Sequence, residues 1–163
     1  MATVHGYTAR CSWRGSTAEG YEHYSREHDA RAGPADVRVA LSADVAFRGR
    51  GEYLNPEQLV VIAASSCQLL SFLAVAARAR LDVREYEDEA EALMPEDDLP
   101  MRLTRIVLRP RIVVAGAVRE ERVRRLVELA HRECYIANSL STPVEVQPEI
   151  VLDRIGDATP SRS

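Results

Sequence analysis

From Leu59 to Ala77 the only polar residues are Ser65, Ser66, Gln68 and Ser71. Just upstream, Asn55 suits an N-cap, Pro56 the first helical position, and Gln58 completes a capping-box spacing. No Gly or Pro follows before Leu81, so the pattern predicts one long helix over 55–81. A helix that is apolar nearly all round is buried on most sides. The run barely reaches the length a bilayer demands, and four polar residues interrupt it. The expectation is therefore a buried central helix and no membrane span.

Shorter patterns surround it. His5 to Trp13 alternates loosely and reads as a strand, closed by a turn at Arg14-Gly15-Ser16. The polar stretch Glu19 to Ala30 is read as a second strand paired to the first, and Gly33-Pro34 as a turn. Val37 to Leu41 is a short third strand, and 42–54 an irregular loop leading to the helix. Beyond the helix, Val83 to Leu93 has helical composition. It sits between breakers, with Val83, Tyr86, Ala90 and Leu93 spaced along it, and is read as a strand. Met94 to Pro100 is a loop. Arg102 to Val114 is a long strand in which Pro110 suggests an edge or a bulge. Val118 to Cys134 carries apolar residues on one side, as an amphipathic helix does. Tyr135 to Ser141 reads as a loop, and Val144 to Leu152 as the last strand. The order predicts an α+β fold. At 163 residues a single domain is expected, with a core of about 5–152 and a frayed tail after Asp153.

Composition narrows the chemistry. A net charge of −4 offers no bulk attraction to nucleic acid. All 21 basic residues are Arg, so any cation in a site is a guanidinium. The N-terminal residues hold no apolar signal-like stretch. Three cysteines then read as thiols in a reducing, cytoplasmic setting and not as a disulfide framework. Dinucleotide, phosphate-loop and nucleophile-elbow motifs are missing from the sequence, so no cofactor is expected.

Of the cysteines, Cys67 stands in the predicted helix among Ser65, Ser66 and Gln68, polar groups that are costly to bury beside an inert core thiol. Cys134 lies where the amphipathic helix gives way to a loop. Cys11, beside Trp13 on a strand, is expected to be core filler. His131 and Cys134 form an H-x-x-C spacing, but no second ligand pair accompanies it, so a zinc site is not expected. A Cys67–His131 hydrolytic pair lacks a third member and an oxyanion hole.

Taken together, N-P-E-Q-L followed by A-S-S-C at Cys67, and later H-R-E-C-Y-I-A-N-S-L, resemble the OsmC/Ohr family (osmotically inducible protein C and organic hydroperoxide resistance protein). The resemblance spans about residues 5 to 152. It implies antiparallel sheets around a long buried central helix, an intertwined homodimer, and a thiol-dependent peroxidase acting on organic hydroperoxides. By position it implies Cys67 as the attacking thiol, Cys134 as the resolving thiol and Glu57 as a site carboxylate. The activating arginine falls at Arg48 by one family pattern and at Arg14 by another. Gln68 follows Cys67 where the family commonly carries an aromatic residue or His.

The chemistry is consistent with these residues. A thiolate is the nucleophile, yet Cys67 lies about 16 Å along its helix from Pro56, too far for the helix dipole to help. A neighbouring Arg is required. Attack on the O–O bond would give a sulfenic acid, which Cys134 condenses to a disulfide for an external dithiol to reduce. Apolar surroundings favour an alkyl or lipid hydroperoxide. Glu57 and Cys67 are separated by about 15 Å along the helix. One Arg can hardly serve both within one chain, so two crossed central helices are expected. The alternative from another class is a non-catalytic binder of an apolar ligand, or a thiol sensor.

Overall fold

The computed structural model describes residues 2–153; the tail expected to fray lies outside them. The chain falls into two compact units, the first reaching to Leu59 and the second starting at Val60.

The first unit holds an antiparallel sheet in the order β1 (Thr8–Ser12), β2 (His28–Gly33), β3 (Arg38–Leu41). Cys11 stands opposite Ala30, and Ala30 opposite Val39. The expected second strand is displaced, because residues 19 and 21–23 form turns and β2 begins only at His28. The cause is Arg26. Its guanidinium donates to the carbonyls of Tyr21 and Tyr24 and lies over both rings, 4.6 and 3.8 Å from their centroids. Those carbonyls are then closed to a strand partner. Cys11 is exposed and not core filler, because β1 is an edge strand exposed along its whole length.

The loop after β3 is organised by Asp44. Its carboxylate accepts from the Ala46 N–H (2.8 Å) and from the Asn55 amide (3.3 Å), and its carbonyl accepts from Phe47 and Gly49. A Cβ on Gly49 would stand 1.7 Å from the Ala43 carbonyl oxygen, so only glycine fits there.

Helix α1 (Pro56–Arg78) starts with the expected reciprocal capping box. The Gln58 N–H donates to Asn55 Oδ1 (2.8 Å) and the Asn55 N–H to Gln58 Oε1 (3.0 Å). It ends in a Schellman motif, Leu81 N–H to Ala76 O and Arg80 N–H to Ala77 O, with Arg80 at φ 53 where glycine is usual. By length and composition α1 could cross a bilayer. Its stripe Ala64, Gln68, Phe72, Val75 and Ala76 is instead buried in the protein. Burial is narrower than the sequence suggests, since Ile62, Leu70 and Leu73 are 50, 64 and 40% exposed.

The second unit adds β4 (Asp82–Asp88), β5 (Glu91–Leu93), β6 (Arg105–Leu108), β7 (Pro110–Ala115), α2 (Glu120–Glu133), α3 (Tyr135–Ser139), β8 (Val144–Val146) and β9 (Glu149–Asp153). They form two three-stranded sheets, β4-β7-β9 and β5-β6-β8. The pairs β4–β7 and β5–β6 are antiparallel as expected, whereas β6–β8 and β7–β9 are parallel. Parallel pairing needs a crossover, and α2 with α3 supplies it. The long strand expected over 102–114 is two strands in different sheets. Pro110 opens β7, a central strand, at the one position where a missing N–H costs least. Likewise 83–93 divides between β4 and β5.

Core packing centres on Phe72, Val75, Ile112, Val114, Val123, Val127 and Ala130, with a smaller cluster of Ala64, Ile106 and Leu108. Strand β4 contains a bulge at Arg84, since Val83 pairs with Val114 and Glu85 with Val113. The extra residue shifts the alternation so that Val83 and Tyr86 both face the core.

Candidate active site

The two cysteines singled out in the sequence come together. Cys67 is carried about three turns into α1 and Cys134 on the extended residue that ends α2 and starts α3. The segment expected to be a loop after Cys134 is the short helix α3, too brief to show a period in sequence. Its turn aims the Ile136 N–H at the Cys67 sulfur, 3.4 Å away.

The two thiols are not equivalent. Cys134 is 1% exposed, whereas Cys67 is half-buried. Burial pushes the Cys134 thiol above its ordinary value, the Ala137 N–H pulls it back, and the neighbouring Cys67 thiol pushes it up again. Cys67 is the sulfur that accepts the Ile136 backbone N–H.

Ser65 and Gln68, polar neighbours of Cys67 in α1, meet residues of β4 and α2 that sequence reasoning did not connect to the thiols. Ser65, two residues before Cys67, donates to Asp88 Oδ2 (2.5 Å), and Asp88 Oδ1 accepts from the Arg109 N–H (2.7 Å). Arg109 is the residue between β6 and β7, so one carboxylate ties the sheet junction to α1. Tyr86 packs its ring 5.9 Å from that of Phe72. Its phenol is pushed up by burial, then by the charge of Asp88 and by that of Cys134. Gln68 is fully buried, its amide N–H only weakly bonded to the Val127 carbonyl at 3.5 Å. Among the described residues, the oxygens Gln68 Oε1 and Tyr86 Oη find no hydrogen-bond partner, nor does His131 Nδ1. An unsatisfied buried polar atom costs about 1–3 kcal/mol. The signal in sequence was a tyrosine and an aspartate two apart on a strand otherwise crowded with exposed charge.

The other expected site residues lie in the first unit. Arg48 adopts a left-handed backbone (φ 64) at the end of a short 3-10 turn, Val45–Phe47, and its half-exposed guanidinium pairs with Glu22. Glu57, in the first turn of α1, makes no ion pair among the described residues. It lines an apolar cavity of about 370 Å³ with Trp13, Tyr24, Phe47 and Pro56. Arg14 lines a separate, polar cavity of about 660 Å³ with Arg10, Arg31 and Arg38.

Small mixed and antiparallel sheets with one long helix, which carries one of two neighbouring thiols, define an α+β protein. The chain belongs to the OsmC-like protein family, whose model matches residues 49–149. It is similar to an OsmC-like protein of unknown function from Vibrio cholerae O1 biovar eltor, with 28% identity and a TM-score of 0.80 over 90% of this chain and all of that one. An organic hydroperoxide resistance protein from Legionella pneumophila shares the fold at 17% identity, with a TM-score of 0.68 over 92% of this chain and 99% of its own. Among curated proteins, the uncharacterized protein YmaD of Bacillus subtilis is 25% identical over 114 residues, 68% of this chain and 76% of its own.

Proposed function

We propose that this protein is a thiol-dependent peroxidase that reduces organic hydroperoxides. The observation that carries this reading is a half-buried thiol, Cys67, that accepts the Ile136 N–H at 3.4 Å beside a second, buried thiol, Cys134. Cys67 attacks the peroxide, one oxygen passes to its sulfur, and the alcohol leaves. Cys134 then displaces that oxygen as water, forming a disulfide which an external dithiol reduces. Family membership supports this assignment.

By the same resemblance, Arg48 holds the Cys67 thiolate and Glu57 orients the guanidinium, with Arg14 the second choice. The unit that works is a homodimer. The apolar, exposed Ile62, Leu70 and Leu73 of α1 support this, since a solvent-facing row of large aliphatic residues on one helix marks a surface for association. A reducing, cytoplasmic setting keeps all three cysteines as free thiols.

The test mixes reduced protein with cumene hydroperoxide and titrates free thiols. Loss of two thiols with a Cys67–Cys134 bond in the peptide map is expected. Three thiols retained after repeated additions would exclude a peroxidase and leave a binding protein.

A further inference from the structure

Two of the unpartnered buried atoms are complementary. Gln68 Oε1 can only accept a hydrogen bond, and the Tyr86 hydroxyl has a proton to give. Their elements bring them to one place. On α1, Ser65, Gln68 and Phe72 follow one another along a single stripe. On β4, Tyr86 and Asp88 share one face. The face and the stripe are joined at both ends, by Ser65 to Asp88 and by the Phe72 and Tyr86 rings. Tyr86 is thereby set at the level of Gln68. Gln68 adjoins Cys67 in the helix, and a charge on Cys134 reaches the Tyr86 phenol. A buried acceptor and a buried donor, neither hydrogen-bonded among the described residues, therefore lie along the stripe next to Cys67.

We infer that Gln68 and Tyr86 form a hydrogen-bonding seat for the oxygen that Cys67 acquires on oxidation. The inference rests on the peroxidase reading and names two further residues for it. When the sulfur takes one oxygen, the S–O bond forms, the O–O bond breaks, and the two electrons lost by sulfur go to the peroxide. The alkoxide leaves as alcohol with the thiol proton. The resulting S–O–H group both donates and accepts. It donates to Gln68 Oε1 and accepts from the Tyr86 hydroxyl. Held there, the oxygen is screened from a second peroxide until Cys134 attacks. The S–S bond then forms, the S–O bond breaks, and the oxygen departs with the Cys134 proton as water.

The experiment uses full-length Cys134→Ser protein, in which the sulfenic acid has no internal thiol to meet. Tyr86→Phe and Gln68→Met are introduced separately, both close in shape to the native side chains. Each protein receives one equivalent of cumene hydroperoxide, and dimedone trapping followed by mass spectrometry gives the lifetime of the Cys67 sulfenic acid. A second equivalent gives the rate of over-oxidation. Each substitution is expected to shorten the lifetime and speed over-oxidation roughly tenfold, about the worth of one hydrogen bond to a polar oxygen. The rate of the first oxidation should change less than about threefold, a split that general loosening of the fold would not produce. Lifetimes within twofold of the parent in both variants overturn the seat and leave the peroxidase reading standing. Equal loss of both rates also overturns it, as a merely structural effect. If Cys134→Ser protein forms no sulfenic acid at all, the seat falls together with the peroxidase reading.

Discussion

Replacing Cys134 by Ser separates the chemistry of the resolving thiol from its part in the core. The side chain is 1% exposed, so the new hydroxyl must find partners inside. Two stand ready, the Cys67 sulfur and the Ala137 N–H. A buried hydroxyl with partners is tolerated, and the net cost should be about 1–2 kcal/mol. For a chain of this length that lowers Tm by about 2–8 °C. The protein stays folded at 25 °C, and any loss of turnover is chemical. Mixed with excess cumene hydroperoxide, the variant should consume its first equivalent at close to the native rate and then stop. The native protein continues as long as a dithiol is supplied. Stopped-flow peroxide consumption, with thiol titration of the quenched samples, measures both phases. In the variant only Cys67 should be lost in the burst. Multiple turnover at the native rate would refute the role given to Cys134, and an equal loss of the initial burst would refute the assignment of Cys67 as the attacking sulfur.

Asn55→Ala removes one half of the capping box and an amide bonded to Asp44, and should cost about 1–2 kcal/mol in urea denaturation. An unchanged midpoint would mean that α1 needs no cap. Because burial raises the Cys134 thiol, its contribution to stability is complete below the ordinary thiol range and declines as pH rises through about 8.5 and beyond. The urea midpoints of the native protein and Cys134→Ala should accordingly converge between pH 8 and 10, and parallel curves would refute this. Leu70→Glu places a charge on the exposed apolar face of α1 and should yield monomer in sedimentation at micromolar concentration. A native dimer that persists in this variant would show that the helix face is not the contact.

The helix and its caps were legible because Asn55, Pro56 and Gln58 act within a few residues of one another. So were the two thiols, since the polar residues flanking Cys67 have no reason to be in a plain core helix. What sequence could not show was decided at a distance or by single side chains. Arg26 occupies the carbonyls of Tyr21 and Tyr24, so a plausible strand becomes turns. Arg80 ends α1 in a conformation that glycine would have announced. Pro110 looked like an edge signal, yet it begins a central strand because the chain changes sheets at Arg109. Parallel pairing of β8 and β9 depends on where the crossover lands, which no local pattern records. The neighbours of the thiols from β4 were hidden for a related reason. Strict alternation from Val83 points inward at Glu85 and Glu87, not at Tyr86 and Asp88.

That last point makes the bulge at Arg84 a spare link in the chain. Val83 and Glu85 already pair with consecutive residues of β7, Val114 and Val113. Cutting out Arg84 would leave an unbroken ladder, with Tyr86 and Asp88 on the same side as before. Removing a residue between Glu85 and Asp88 would instead turn Asp88 away from Ser65. Loss of one residue at position 84 therefore leaves the Ser65–Asp88 contact in place, whereas the same loss two or three residues later breaks it.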